Sequence, residues 1–223
     1  MVNAIVTESI LGRAQIKNQV NYKILNLFDF SDPPHHRIDD YPFGGGAGMI
    51  LKPEPIFRAY DKVLLEQSEK HELKVVFPTP DGIILNHEKA KDLAETNNLL
   101  FICGHYKGVD QRVRDKLVTD EISIGDYVIT GGELASMVIL DATVRLIPGV
   151  LNSYESAETD SFAEPLLDCS HYTRPEIFRK MKVPDLLLSG NHKKIRDWKK
   201  SNRMKKTQER RPDFFETNKK LDE

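Results

Sequence analysis

Three glycine-bearing stretches could grip a small molecule with main-chain atoms: PTPDG (78–82), CGHYKG (103–108) and ITGGE (129–133). Each closes a run of aliphatic and β-branched residues: LKVVF, LLFIC and EISIGDYVI. A strand running into a glycine turn brings backbone N–H groups close to a ligand, because no Cβ stands in the way. Taken singly, each turn is equally well explained as a plain connection needing a positive φ. Together they put Pro80, Gly82, Gly104, Gly108, Gly131 and Gly132 on three successive turns, an arrangement suited to a compact, folded ligand. No G-x-G-x-x-G follows the first strand, and no Gly-Lys-Ser/Thr closes the GGGAG run at 44–48. Neither a Rossmann-type dinucleotide site nor a P-loop is therefore expected.

The side chains able to move protons or hold charge lie elsewhere. Asp160 sits in the polar, acidic stretch NSYESAETDSFAEP (152–165). A loop carboxylate beside a ligand can act as general base; on residue type alone a solvated acid is the better account. Arg145 ends the helical pattern that begins at TGGE. There it complements a helix C-terminus, or stabilises negative charge developing on a substrate. His171, Tyr172 and Arg174 could clamp or stack on a nucleotide, or cap a helix. His35 and His36 stand near Asp39 and Asp40, but adjacent side chains diverge, which favours solvated loop residues over a metal site.

The elements that must position these groups follow from periodicity. Residues 1–20 are expected to be helical, and Tyr22–Phe28 alternates like a strand. Pro33, Pro34, Pro42 and four glycines force a long loop up to Met49, and a helix is expected from Pro53 to Lys70. Strands over 73–77, 99–103 and 121–129 alternate with helices over 86–96 and 133–146. That pattern is an α/β fold with a mostly parallel sheet, whose ligands bind beyond the strand C-termini. HYTRPEIFRKM is expected to open a helix with Pro175 in its first turn. A second helix begins near Ser189-Gly190-Asn191, with Trp198 in its core face.

Composition bounds the rest. The chain has 223 residues, 39% hydrophobic and 30% charged, as in globular proteins. No apolar run approaches the roughly 18 residues of a membrane span. MVNAIVTESI has neither a basic n-region nor an apolar core, so a cytoplasmic location is expected. Cys103 and Cys169 form neither a disulfide framework nor a zinc pattern. A net charge of −2 hides an asymmetry: residues 1–168 hold 16 Lys+Arg against 26 Asp+Glu, and residues 169–223 hold 16 against 8. A basic C-terminal part points to a nucleic-acid partner.

Six motifs then acquire a common meaning. IDDYPFGGGAGM, CGHYKGVDQR, SIGDYVITGGEL, RLIPGVL, DSFAEPLLDCSHYTRPE and LLSGNHKKIRDW closely resemble the bacterial tRNA (guanine-N1)-methyltransferases of the knotted SPOUT class, over essentially the whole chain. The resemblance implies a SPOUT-type parallel sheet with a deep trefoil knot over 1–151, a flexible linker over 152–167 and a small helical tRNA-binding domain over 168–223. Knots are rare exceptions to the rules of chain connection. It implies that Pro80, Gly82, Gly104, Gly108, Ile124, Gly125, Tyr127, Ile129, Gly131 and Gly132 hold S-adenosylmethionine. It makes Asp160 the general base and Arg145 the stabiliser of charge on the guanine. Asp168, His171 and Arg174 become tRNA contacts. It further implies Mg²⁺, an obligate homodimer with a shared site, and a flipped guanine at tRNA position 37, just 3′ of the anticodon.

Two departures qualify the likeness. Lys107 and Gln111 stand where many members of the family carry Glu, and Met1 aligns with the end of the family's usual first strand, which is expected to be missing. Alternative readings are a ribose 2′-O-methyltransferase, which the DSF and HYTRP segments argue against, and a tRNA-binding protein that has lost catalysis.

Overall fold

The computed structural model describes residues 1–67, 72–151 and 160–214. The chain forms two compact units, Met1–Asn152 and Ser153–Glu223.

In the first unit the helix expected over 1–20 is two short helices, α1 (Val2–Val6) and α2 (Ser9–Ile16). Thr7 ends α1 by returning its hydroxyl to Asn3 O at 2.8 Å, and Ser9 takes a φ of 53°. Tyr22–Phe28, expected as a strand, joins no ladder among the described residues. It ends in a 3₁₀ turn at Leu27–Phe30, with the Asn26 side chain accepting from Phe28 N–H. Leu25 and Leu27 line an apolar recess with Leu51, Ile56, Tyr60 and Leu100–Cys103. The segment thus offers that stretch side chains rather than backbone. The alternation marked burial, not pairing.

Short strands β1 (Asp39–Asp40) and β2 (Ile50–Leu51) pair antiparallel and close the glycine-rich loop between them. Helix α3 (Pro53–Glu66) starts with proline in its first turn, where no intrahelical N–H is needed. The sheet has three strands, β3 (Leu73–Ile84), β4 (Asn98–Phe101) and β5 (Asp120–Ser123), in the order β4-β3-β5 and all parallel. Helices α4 (His87–Ala94), α5 (Gln111–Leu117) and α6 (Gly132–Val144) connect or follow them.

The period-2 alternation of β3 builds the layers. Val75 and Phe77 face Ile56 of α3 and Val113 and Leu117 of α5. Val76, between them, faces Leu93 of α4, Ile122 of β5 and Ile139 of α6. Each fully buried aliphatic side chain contributes about 1.5–3 kcal/mol. Another face of α6, Met137, Leu140 and Val144, packs on Val6, Leu11 and Ala14. Helix α6 is thus buried on two sides, while Leu134 and Val138 remain about half exposed.

Two strand boundaries differ from expectation. β3 does not stop at Phe77. It continues through PTPDG, because Pro78 and Ile83 both pair with Ile122. PTPDG is therefore an excursion within a strand. β5, in contrast, stops at Ser123: its hydroxyl accepts from Gly125 N–H at 3.2 Å and turns the chain, so 124–130 is loop.

In the second unit, the helix expected from HYTRPEIFRKM is a hairpin of β6 (Ile177–Phe178) and β7 (Met181–Lys182). Arg179 and Lys180 both have positive φ, 47° and 65°, the geometry of a two-residue hairpin turn. Val183 N–H extends the pairing to Glu176 O at 3.0 Å. A short helix, α7 (Asp185–Leu188), precedes α8 (His192–Arg210), which is capped by the Asn191 side chain on Lys194 N–H at 3.1 Å. Of the expected linker, 152–159 lies outside the described residues, and 160–167 is a hydrogen-bonded loop on α8. No helix among the described residues is long and apolar enough to cross a membrane.

Candidate active site

The parallel pairing of β3 with both neighbours puts the chain leaving β4 and β5 at one end of the sheet. The glycine loops meet there. Gly132 N–H donates to Gly104 O at 2.7 Å, and His105 and Gly131 form an isolated antiparallel bridge. A Cβ on Gly132 would lie 2.7 Å from Gly104 N and 3.0 Å from Cys103 Cα. The first turn of α6 thus packs backbone to backbone against the loop after β4, which only glycine permits. Gly82 has the same role in the β3 excursion: its Cβ would lie 2.5 Å from the Glu121 carbonyl carbon. Gly104 itself faces the Phe77 ring.

Gly108 donates to His105 O at 2.9 Å and accepts from Leu51 N–H at 3.0 Å, tying this loop to β2. Ile124 and Gly125 begin the third loop. Tyr127 N–H donates to Gly125 O at 2.9 Å, and its hydroxyl donates to Ile124 O at 3.3 Å. Tyr127, Val128 and Ile129 are exposed beside these turns. Pro80 is exposed at the crest of the excursion. The structure therefore gathers Gly104, Gly131 and Gly132 directly, and joins Gly82 to the β5 backbone just before the turn at Ile124 and Gly125.

An ion cluster that no local pattern signals holds the excursion down. Arg114 in α5 makes a two-pronged pair with Glu121, both contacts 2.7 Å, and also reaches Asp81 Oδ2 at 2.7 Å. Its guanidinium lies 5.6 Å from the centroid of the Phe77 ring. These carboxylates raise the guanidinium pKa, Glu121 most and then Asp81. The Asp81 carboxyl is held below the usual range by the Thr79 hydroxyl and then by Arg114. Burial pushes the Cys103 thiol up, and its sulfur lies 3.3 Å from Ser136 Oγ. Cys103 thus sits partly buried against α6.

Arg145 caps α6 and is half buried. Lys107 donates its backbone N–H to Met49 O at 3.1 Å, with its side chain against Gly48. Gln111 opens α5, its amide on Asp115 at 2.8 Å.

Asp160, Asp168, His171 and Arg174 all belong to the second unit. Asp160 is half buried and accepts from Ala163 N–H at 3.3 Å through its carbonyl. Asp168 N–H donates to Ser161 Oγ at 2.9 Å, joining the two ends of this loop. His171 Nε2 lies 2.7 Å from Asp168 Oδ2. Partial burial opposes charge on Asp168, but His171 and the Cys169 N–H outweigh it and hold the carboxyl below its ordinary range. Arg174 is exposed just before the hairpin.

Residues 1–217 match the sequence model of the family described as tRNA (Guanine-1)-methyltransferase TrmD. The chain belongs to the TrmD family. A relative named tRNA (guanine-N(1)-)-methyltransferase from Anoxybacillus flavithermus is 52% identical over 97% of this chain and 88% of its own length. Relatives of the same name from Bacillus cereus and Bacillus anthracis are 51% identical over the same shares. The TrmD likeness spans both units, so the glycine loops and the Asp160 loop fall within it.

The Mg²⁺ implied by the resemblance finds no group of three carboxylate ligands among the described residues. Among the described residues, three metal-ligating side chains come together only at Asp168, Cys169 and His171. A thiol, an imidazole and one carboxylate do not suit an ion that takes six oxygen ligands.

Proposed function

We propose that this protein methylates N1 of the guanosine just 3′ of the anticodon in tRNA, with S-adenosylmethionine as donor. Family membership over nearly the whole chain supports this. The single structural observation that carries it is the meeting of glycine loops at the C-terminal end of a parallel sheet. The bent donor sits against Gly82, Gly104, Gly108 and the turn from Ile124 to Gly132, with its adenine near Tyr127 and Ile129. The family's trefoil knot is formed by these same loops.

Guanine N1 carries a proton and is a poor nucleophile until it loses it. The Asp160 carboxylate takes that proton as N1 bonds to the methyl carbon. The carbon–sulfur bond breaks, and the donor leaves as neutral S-adenosylhomocysteine. Arg145 stabilises the negative charge that develops on the guanine oxygen. Asp168, His171 and Arg174 contact the RNA, and the basic face of α8 adds phosphate contacts. The exposed Leu134 and Val138 of α6 support a homodimer in which one subunit supplies the donor pocket and its partner the Asp160 loop. No step runs through Mg²⁺, because among the described residues no cluster of oxygen ligands suits it.

The test is methyl transfer to a tRNA carrying guanosine 3′ of the anticodon, with the product identified by nucleoside mass spectrometry. The expected product is N1-methylguanosine, absent when that guanosine is replaced by adenosine. Asp160→Ala should abolish transfer while keeping donor affinity. Tight tRNA and donor binding without transfer in the parent chain, or methyl on a ribose, would overturn the proposal.

A further inference from the structure

Asp160 is not on a free tether within its unit. The chain from Asp160 to Cys169 is laced to one stripe of α8. Arg203, Thr207 and Arg211 recur every fourth residue, so they stand one above another along that stripe. Arg203 Nη1 donates to Glu164 Oε2 at 2.7 Å, and its Nε donates to Leu167 O at 3.3 Å. Thr207, wholly buried, accepts from Leu167 N–H at 2.9 Å. Arg211, just past the helix end, closes the series. Its guanidinium lies 5.7 Å from the Phe162 ring centroid and 4.3 Å from that of Phe214. The two rings are 5.2 Å apart. Asp213 fixes the guanidinium through contacts of 2.9 Å to Nε and 2.6 Å to Nη2.

Phe162 is two residues from Asp160 and has a φ of 76°. A bulky side chain holds that backbone state only where its surroundings impose it. Here they are the contact of its ring with the Phe214 ring and the Arg211 guanidinium on one side and the Phe162 N–H to Leu166 O bond at 3.1 Å on the other. Basic residues at the end of α8 look from sequence like phosphate ligands. Two of them are instead committed internally: the Arg203 side chain is only 18% exposed, and Arg211 is paired with Asp213.

We propose that Arg211, gripping Phe162 and Phe214, is a positioning residue that sets the Asp160 carboxylate for proton removal. The proposal rests on Asp160 being the base. A displacement of a reacting group by about 1 Å costs on the order of 10²-fold in rate. Loss of the clamp therefore lowers kcat and leaves substrate affinity unchanged.

The experiment uses the full chain, saturating S-adenosylmethionine and varied tRNA. Arg211→Ala and Phe214→Leu should each lower kcat by roughly 10- to 100-fold, with KM for tRNA at the parent value. Phe214→Tyr, which keeps the ring, should restore turnover. Arg211→Lys should not, because a compact ammonium cannot lie against both rings and pair with Asp213 through two nitrogens at once, as a planar guanidinium does. Adding Arg211→Ala to Asp160→Asn should cost nothing further, since the group being positioned is already gone. Parent kcat in both Arg211→Ala and Phe214→Leu, a change in KM alone, or full additivity with Asp160→Asn would each overturn the proposal. Should a melting curve show Arg211→Ala unfolded, Phe214→Leu decides alone. If Asp160→Asn is itself fully active, it is the assignment of the base that fails, an outcome separate from the others.

Discussion

Replacing Gly132 with alanine is the sharpest test of the glycine-loop geometry. The backbone at Gly132 is helical, so the conformation suits alanine and the cost is steric. The added Cβ would sit 2.7 Å from Gly104 N and 3.0 Å from Cys103 Cα, both main-chain atoms that no side-chain rotation can move. Overpacking of this kind costs about 1–3 kcal/mol. Pushing the loops apart also strains the 2.7 Å bond from Gly132 N–H to Gly104 O, worth about 0.5–1.5 kcal/mol. Alanine recovers up to about 1 kcal/mol of helix propensity over glycine. The net loss is about 2 kcal/mol. At roughly 2–4 °C per kcal/mol for a unit of this size, Tm should fall by about 4–8 °C. Thermal denaturation followed by circular dichroism reads this directly. Calorimetric titration with S-adenosylmethionine should show weaker binding, because the displaced loops form the donor pocket. A variant with the parent Tm would refute the close approach on which the site rests.

Two further outcomes follow from side-chain chemistry. Arg114→Ala leaves Asp81 and Glu121 facing each other without their shared cation and should cost about 2 kcal/mol in urea unfolding, along with donor affinity; an unchanged midpoint would show that the PTPDG excursion stands without the cluster. Because the folded-state pKa of Asp168 is depressed, its stabilisation is present above the ordinary carboxylate value of about 4 and is lost as pH falls through the lower folded value; Asp168→Asn should therefore flatten the acid limb of the stability–pH curve below about pH 4, and a variant that keeps the parent slope there would contradict the assignment.

The sheet was legible because its strands are covered on both faces, so LKVVF and LLFIC stand out as near-continuous apolar runs. The capped start of α8 was legible because Ser189-Gly190-Asn191 signals a helix N-terminus locally. What sequence could not show depends on partners distant along the chain. Pro78 and Pro80 satisfy every local rule for a turn, yet β5 holds the strand on both sides of them. Ile177–Lys182 carries helix-compatible residues behind a proline, and only the positive φ of Arg179 and Lys180 turns it into a hairpin. Arg114 reaches Asp81 from 33 positions away, a spacing with no periodic meaning. The basic count of the last 55 residues pointed to RNA, but said nothing of how many cations serve the unit itself.

The pairing of both Pro78 and Ile83 with Ile122 has a consequence for how this site can vary. One residue of β5 serves two rungs of β3, so the ladder before the excursion and the ladder after it are indexed independently. A residue gained or lost between Thr79 and Asp81 changes the size of the excursion and leaves the inward and outward assignment of Val75, Val76 and Phe77 untouched. The sheet insulates its core from the length of a ligand-facing loop. Pocket shape is therefore free to change in evolution or by engineering at a position where, in an ordinary strand, a single insertion would turn the core inside out.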